Sequence, residues 1–307
     1  MDKINQYKFT EGENHRFTIT GFTEIPETEE SYFILKNPFG GKHLLKAIHY
    51  KHYNLQVNQT IPCKIDKINC SGKIYLEPEN PFYKEGEIYD FDFIRVIDRV
   101  NSVGEKEKAA IVKDRFGLEQ SCSLPEGRKI EKGTKHLQCK VLRIKKGELF
   151  LAVLENTKST SKLQIGKKYC FQVTEIKKLN TIEHYILKDD FDNSYSLKKD
   201  MYAHYEFKIG QKLECAVTKY HTDAHLKIEP VHPHYKIGET YLFKYLKTIE
   251  EKDPLGNKEY VILVADIYGI DTKVRSDLNY CKTDFPDRIS CKVEGIRKGK
   301  AILSLVK

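Results

Sequence analysis

Four cysteines recur at a fixed interval, and that interval limits what this chain can fold into more than any other feature. Cys63, Cys139, Cys215 and Cys291 stand 76 residues apart, each within an apolar-x-Cys-x-apolar stretch: Ile61 to Ile65, Leu137 to Val141, Leu213 to Val217 and Ile289 to Val293. Other landmarks keep step with them. Units open on Gly-(Glu/Lys)-x-aromatic-x-Phe at Gly86 to Phe91, Gly166 to Phe171 and Gly238 to Phe243, with Gly12 to Phe17 as the first version. An apolar run then ends on an acidic or amide residue with an aromatic two places on: Ile34 to Phe39, Ile111 to Phe116, Ile186 to Phe191, Leu263 to Tyr268. Each unit closes on a short alternating segment, Gly72 to Leu76, Gly147 to Leu151, Ala224 to Ile228 and Gly299 to Leu303. Four copies of one unit are expected, with boundaries at 1–82, 83–161, 162–234 and 235–307.

Within a unit the period is two. Ile88 to Phe93, Cys139 to Ile144 and Leu149 to Leu151 alternate apolar with polar, as half-buried strands do, and helical patterning is minimal. Asn37 to Gly40, Asp114 to Gly117 and Ile267 to Gly269 lie between such runs and read as hairpin turns. About five short strands in some 75 residues leave open edges, and closing into a barrel removes them. Tyr89, Phe91, Phe93, Tyr169, Phe171, Tyr241 and Phe243 share one face of the first strands and are expected in the cores. The joints Glu77 to Lys84 and Glu229 to Lys236 match each other and carry prolines, which predicts short, semi-rigid connections and an extended row of barrels. The middle joint, Glu155 to Ser161, has no proline and is where such a row would bend.

Repeat length, strand order, the Cys-Lys-Val segments and the Gly-Lys-apolar finish resemble the S1-like and cold-shock-like branch of OB-fold proteins. That resemblance covers the whole chain. It implies an all-β chain of four tandem five-stranded OB-fold barrels that binds single-stranded nucleic acid, RNA ahead of DNA, with low sequence specificity. Where such domains carry aromatics on the second and third strands, this chain has Ala109 to Val112 and Val261 to Val264. The second reading is a protein-interaction scaffold, and a chain ending at Lys307 also fits the amino-terminal region of a larger nucleic-acid-processing enzyme.

OB folds bind through the face of strands 2 and 3 and the loops joining strands 1 to 2 and 4 to 5. On that basis Phe39, Phe116, Phe191 and Tyr268, at the turn between strands 2 and 3, are candidates for stacking on bases. The alternative is that each ring folds back to cover an end of its own core. Lys113 and Arg115 flank one such ring, and the strand 4–5 loops are basic at Arg143, Lys145, Lys146, Arg297, Lys298 and Lys300, a path suited to phosphates. Lysines beside surface turns also serve solubility alone. Net charge is +8; units 2 and 4 hold 16 and 14 basic against 13 and 11 acidic side chains, whereas unit 1 holds 10 of each. Nucleic-acid contact is therefore expected from units 2 and 4, and unit 1, with its acidic stretch Glu24 to Glu30, is expected to pack or to meet a protein.

No nucleophile elbow, phosphate-binding Gly-rich loop, His-Glu-x-x-His or paired carboxylate motif occurs, so no catalytic residue and no cofactor is expected. There is no Cys-x-x-Cys, and the histidines of unit 3 (His204, His221, His225, His232, His234) lack partners at ligand spacing, so no metal is expected either. The recurring cysteines read as small buried hydrophobes, with Cys70 and Cys281 among the other reduced thiols. No stretch reaches the roughly 18 apolar residues of a membrane span, and the charged amino terminus lacks a signal core, which predicts a cytoplasmic protein.

Overall fold

A computed structural model describes residues 9–25, 29–69, 73–125, 127–154, 163–221, 225–252, 258–275 and 285–306. The chain is all-β, with four five-stranded sheets in succession. The first has β1 (Asn14–Ile25), β2 (Glu30–Lys36), β3 (Lys42–Lys46), β4 (Thr60–Ile68) and β5 (Ile74–Pro78). The second has β6 (Ile88–Val100), β7 (Lys106–Lys113), β8 (Glu119–Ser123), β9 (His136–Lys145) and β10 (Glu148–Val153). The third has β11 (Lys168–Leu179), β12 (Ile182–Lys188), β13 (Ser194–Lys198), β14 (Lys212–Tyr220) and β15 (Leu226–Pro230). The fourth has β16 (Thr240–Lys252), β17 (Lys258–Ala265), β18 (Asp271–Arg275), β19 (Arg288–Arg297) and β20 (Lys300–Leu305). Each sheet with its connections is called a unit, numbered 1 to 4.

The order within every unit is 3-2-1-4-5. Units 2 and 4 close into barrels through a parallel pair of strands 3 and 5, Cys122 with Leu151 and Val274 with Leu303. Units 1 and 3 are open sheets at that edge, which corrects the expectation of four equal barrels. Pro78 and Pro230 end their fifth strands and have no N–H with which to extend a parallel ladder. After β3 and β13 the chain also turns at once into 3-10 helices, Ala47–Tyr53 and Lys199–Tyr205. Seven residues are too few to show a helical period, so neither helix was expected.

Strands 1 and 4 carry a register skip in every unit, for instance between Ile19 and Gly21 and between Ile65 and Lys67. These bulges bend the strands and curl each sheet around its core. The cores hold the expected rings: Phe17, Phe91, Phe171 and Phe243 are buried, with Tyr89, Tyr169 and Tyr241 packed at their margins. Cys63, Cys139, Cys215 and Cys291 are fully buried. Burial raises the thiol pKa of Cys63, Cys215 and Cys291, so the small-hydrophobe reading of these positions stands. Cys70, Cys281, the middle joint 155–161 and residues 26–28 of the acidic stretch lie outside the described residues.

The extended row is not what the structure has. Arg143 of unit 2 pairs with Asp66 of unit 1, Ser196 of unit 3 bonds Ser102 of unit 2, and His204 of unit 3 bonds Gly299 of unit 4. Arg297 of unit 4 reaches Glu11 of unit 1, 286 positions away, so the row folds back on itself. Polar and aromatic side chains on the loops, which carry no long-range pattern in sequence, bring this about.

Candidate nucleic-acid interface

The seam between units 1 and 2 is built around one carboxylate. Glu77, buried at the end of β5, accepts the backbone N–H groups of Lys146 (2.5 Å) and Gly147 (3.0 Å) and the Tyr50 hydroxyl (3.2 Å). Burial pushes its pKa up, and those three donors pull it back toward the charged form. The turn that offers the amides needs glycine: Gly147 has φ of 73°, and a Cβ there would lie 2.5 Å from the carbonyl oxygen of His49.

The seam between units 3 and 4 repeats this 152 residues later. Glu229 accepts Lys298 N (2.9 Å), Gly299 N (2.9 Å) and the Tyr202 hydroxyl (3.1 Å). His204 and the Tyr205 hydroxyl add bonds to the Gly299 carbonyl, at 3.0 and 3.2 Å. In the first seam the matching ring nitrogen, His52 Nε2, is buried without a partner. The molecule is thus two copies of a two-unit module.

The four rings at the strand 2–3 turns part company here. Asn37, Asp114, Asp189 and Asp266 each accept two backbone N–H groups of their turn, which explains the recurring acidic or amide residue two places before the ring. Phe116 stacks on Tyr53 (5.7 Å, 16°) and touches His52 and Phe82 at 4.7 and 4.9 Å, so it packs against unit 1 as well as against the core of its own unit. Tyr268 likewise meets the neighbouring unit, among His204, Tyr205, His232 and His234. Phe39 lies 5.9 Å from Phe9 and is 43% exposed, and Phe191 is 52% exposed.

On the outer rim of the first seam the expected candidates Arg115 and Phe116 meet Phe82, which the sequence did not single out. Phe82 is 43% exposed beside Phe116, and the Arg115 guanidinium lies 5.8 Å from its centroid. Tyr83, buried beneath, accepts the Arg115 backbone N–H and orients the turn (2.9 Å). Lys113 and the Lys146 side chain are exposed in the same unit as Arg115. In the second seam His234 and Ile267 replace Phe82 and Arg115, which removes the permanent cation. His232 takes the place of Asn80 as acceptor for two turn amides, and burial, chiefly, lowers its pKa to about 4. His204, His232 and His234 thus act as packing and turn-capping groups, and no metal-holding cluster exists among the described residues.

The remaining basic candidates divide between surface and interior. Lys298 and Lys300 have exposed side chains. Arg143 is only 12% exposed and pairs with Asp66 at 2.7 Å; Lys145 meets the same carboxylate at 3.6 Å, and Arg297 meets Glu11 at 3.2 Å. Those three lie where units meet.

The sheet face of unit 3 is occupied. The β6–β7 turn of unit 2 lies on it: Ser196 donates to the Ser102 carbonyl (2.8 Å), Val103 is buried, and a Cβ on Gly104 would lie 2.4 Å from Leu179. His184 and Ile186 on that face are buried. On the corresponding face of unit 2, Arg99 bonds Glu107, Ser121 and Ser123 at 2.6 Å each, and Arg95 grips Glu119 with two bonds.

No family model and no curated protein matches the chain. Among solved structures it is similar to a multidomain protein with nucleic acid binding domains from Streptococcus pneumoniae, at 11% identity and a TM-score of 0.23, over 72% of this chain and 73% of that one. A likeness that slight carries no argument about this chain.

Proposed function

We propose that the chain is a non-catalytic tandem OB-fold protein of the S1-like kind that binds single-stranded nucleic acid, RNA in preference to DNA, with low sequence specificity. The strand order 3-2-1-4-5, repeated in four units at 1–82, 83–161, 162–234 and 235–307, supports the fold assignment. The observation that carries the binding reading is the rim of the first seam, an exposed Phe82 ring under Arg115. A base stacks on an exposed ring for about 1 to 3 kcal/mol, and guanidinium and ammonium groups neutralise the adjoining phosphates. Arg115 and the exposed Lys113 and Lys146 supply cations to this reading in unit 2, and Lys298 and Lys300 supply exposed cations in unit 4. Arg143, Lys145 and Arg297 are removed from it by their ion pairs, and the Phe116 and Tyr268 rings, both packed between units, are less open to a base than Phe82. The exposed rings Phe39 and Phe191 remain secondary stacking points.

The occupied face of unit 3 favours a second reading, a scaffold whose sheet faces serve contacts between units and with partner proteins. Fluorescence anisotropy with mixed-sequence RNA and DNA oligonucleotides at two salt concentrations separates the two. Micromolar or tighter affinity that falls with salt, and that weakens about tenfold in Phe82→Ala, is expected. Affinity unchanged by Phe82→Ala and Arg115→Glu together rejects the seam.

A further inference from the structure

The bulges of the fourth strands do more than curl the sheets. Asp66 in unit 1 is the unpaired residue of its bulge, while Arg143 in unit 2 and Lys219 in unit 3 directly follow theirs; bulges re-aim side chains out of the strand alternation. Asp66 and Arg143 pair at one junction, Lys145, Arg297 and Glu11 join them there, and Lys219 is partly buried within electrostatic reach of Arg143, Lys145, Arg297 and Asp66. Four cations from units 2, 3 and 4 thus stand against two carboxylates from unit 1. Asp66 is taken up by Arg143 and Lys145, and Glu11 by Arg297 and the Ile68 backbone N–H (2.6 Å). Lys219 has no ion-pair partner among the described residues. Burial, then the charges of Arg143, Lys145 and Arg297, bring its pKa down to about 8, with Asp66 opposing. Among the described residues two positive charges are left without a counter-charge in a partly buried place, where water screens them poorly.

We propose that this four-unit junction is an anion site for a dianionic phosphate group, held by Lys219, Arg143, Lys145 and Arg297. A phosphate monoester carries close to two negative charges at neutral pH, which equals the excess, and its oxygens accept from both ammonium and guanidinium groups. Inorganic phosphate and the 5′-phosphate of a nucleic-acid strand share that chemistry. The site is separate from the Phe82 rim and stands whether or not that rim binds RNA.

Thermal unfolding of the full chain tests it, in sodium phosphate against sodium chloride at matched pH and ionic strength. Phosphate is expected to raise the wild-type Tm in a saturable way. Lys219→Met is expected to melt higher than wild type without phosphate, since a repelled charge is gone, and to gain nothing from phosphate. Lys145→Ala, at a more exposed position, is expected to weaken the phosphate response severalfold if Lys219→Met folds poorly. A phosphate shift no larger than that of chloride, or one retained in both variants, overturns the site. Oligonucleotides with 5′-phosphate or 5′-hydroxyl ends identify the source. A shift confined to the phosphorylated strand places a strand end at the junction and equal behaviour leaves free phosphate as the ligand, each in support of the site.

Discussion

Single residues decide how the units join. Glu77 holds two backbone donors and a tyrosine hydroxyl in a buried seam, and an orphaned buried donor costs about 1 to 3 kcal/mol. Glu77→Ala is therefore expected to lower stability by at least about 2 kcal/mol in urea unfolding, with fluorescence changes at the first seam preceding those of the cores. Lys219 makes an opposite contribution. Its folded pKa of about 8 lies below its ordinary value of 10.5, so between these pH values the unfolded chain binds more protons. Stability is therefore expected to rise with pH across that window through this group, and to be flat there, for this contribution, in Lys219→Met. Chemical denaturation at a series of pH values reads the difference.

At the scale of elements, much is legible in the sequence itself. The cysteine interval, the opening Gly-to-Phe segments and the closing strands located the units, because a buried strand position tolerates few residue types and so recurs. The acidic or amide residue before each ring was visible as well, although its role as a turn cap was not. What sequence left out is tertiary. Asp66, Glu77 and Glu229 look like any strand-end acid, and nothing local tells that they hold a neighbour's loop. The basic strand 4–5 loops were read as facing phosphates, whereas Arg143 and Arg297 face carboxylates of unit 1. The match between Glu77 to Lys84 and Glu229 to Lys236 was the one sign of the 152-residue module. The β6–β7 turn belongs to this scale too. Val103→Asp puts a charge into its buried contact on unit 3, and faster amide exchange in Ile182–Lys188 is expected, with exchange in β16 and β17 unchanged.

At the scale of the whole molecule, charge and aromatic contacts convert a row of four similar units into two modules that meet at a shared junction. Arg143, Lys145 and Arg297 of the strand 4–5 segments are taken up at that junction, while Lys146, Lys298, Lys300 and the Phe82 rim are left exposed. Closure is the claim on which the shared junction and its anion site depend, and small-angle X-ray scattering of the full chain reads it directly. A folded-back chain of this length is expected near the roughly 20 Å radius of gyration of a compact protein, with a single-peaked distance distribution. A radius well above that value, with a distribution drawn out along one axis, would contradict the account.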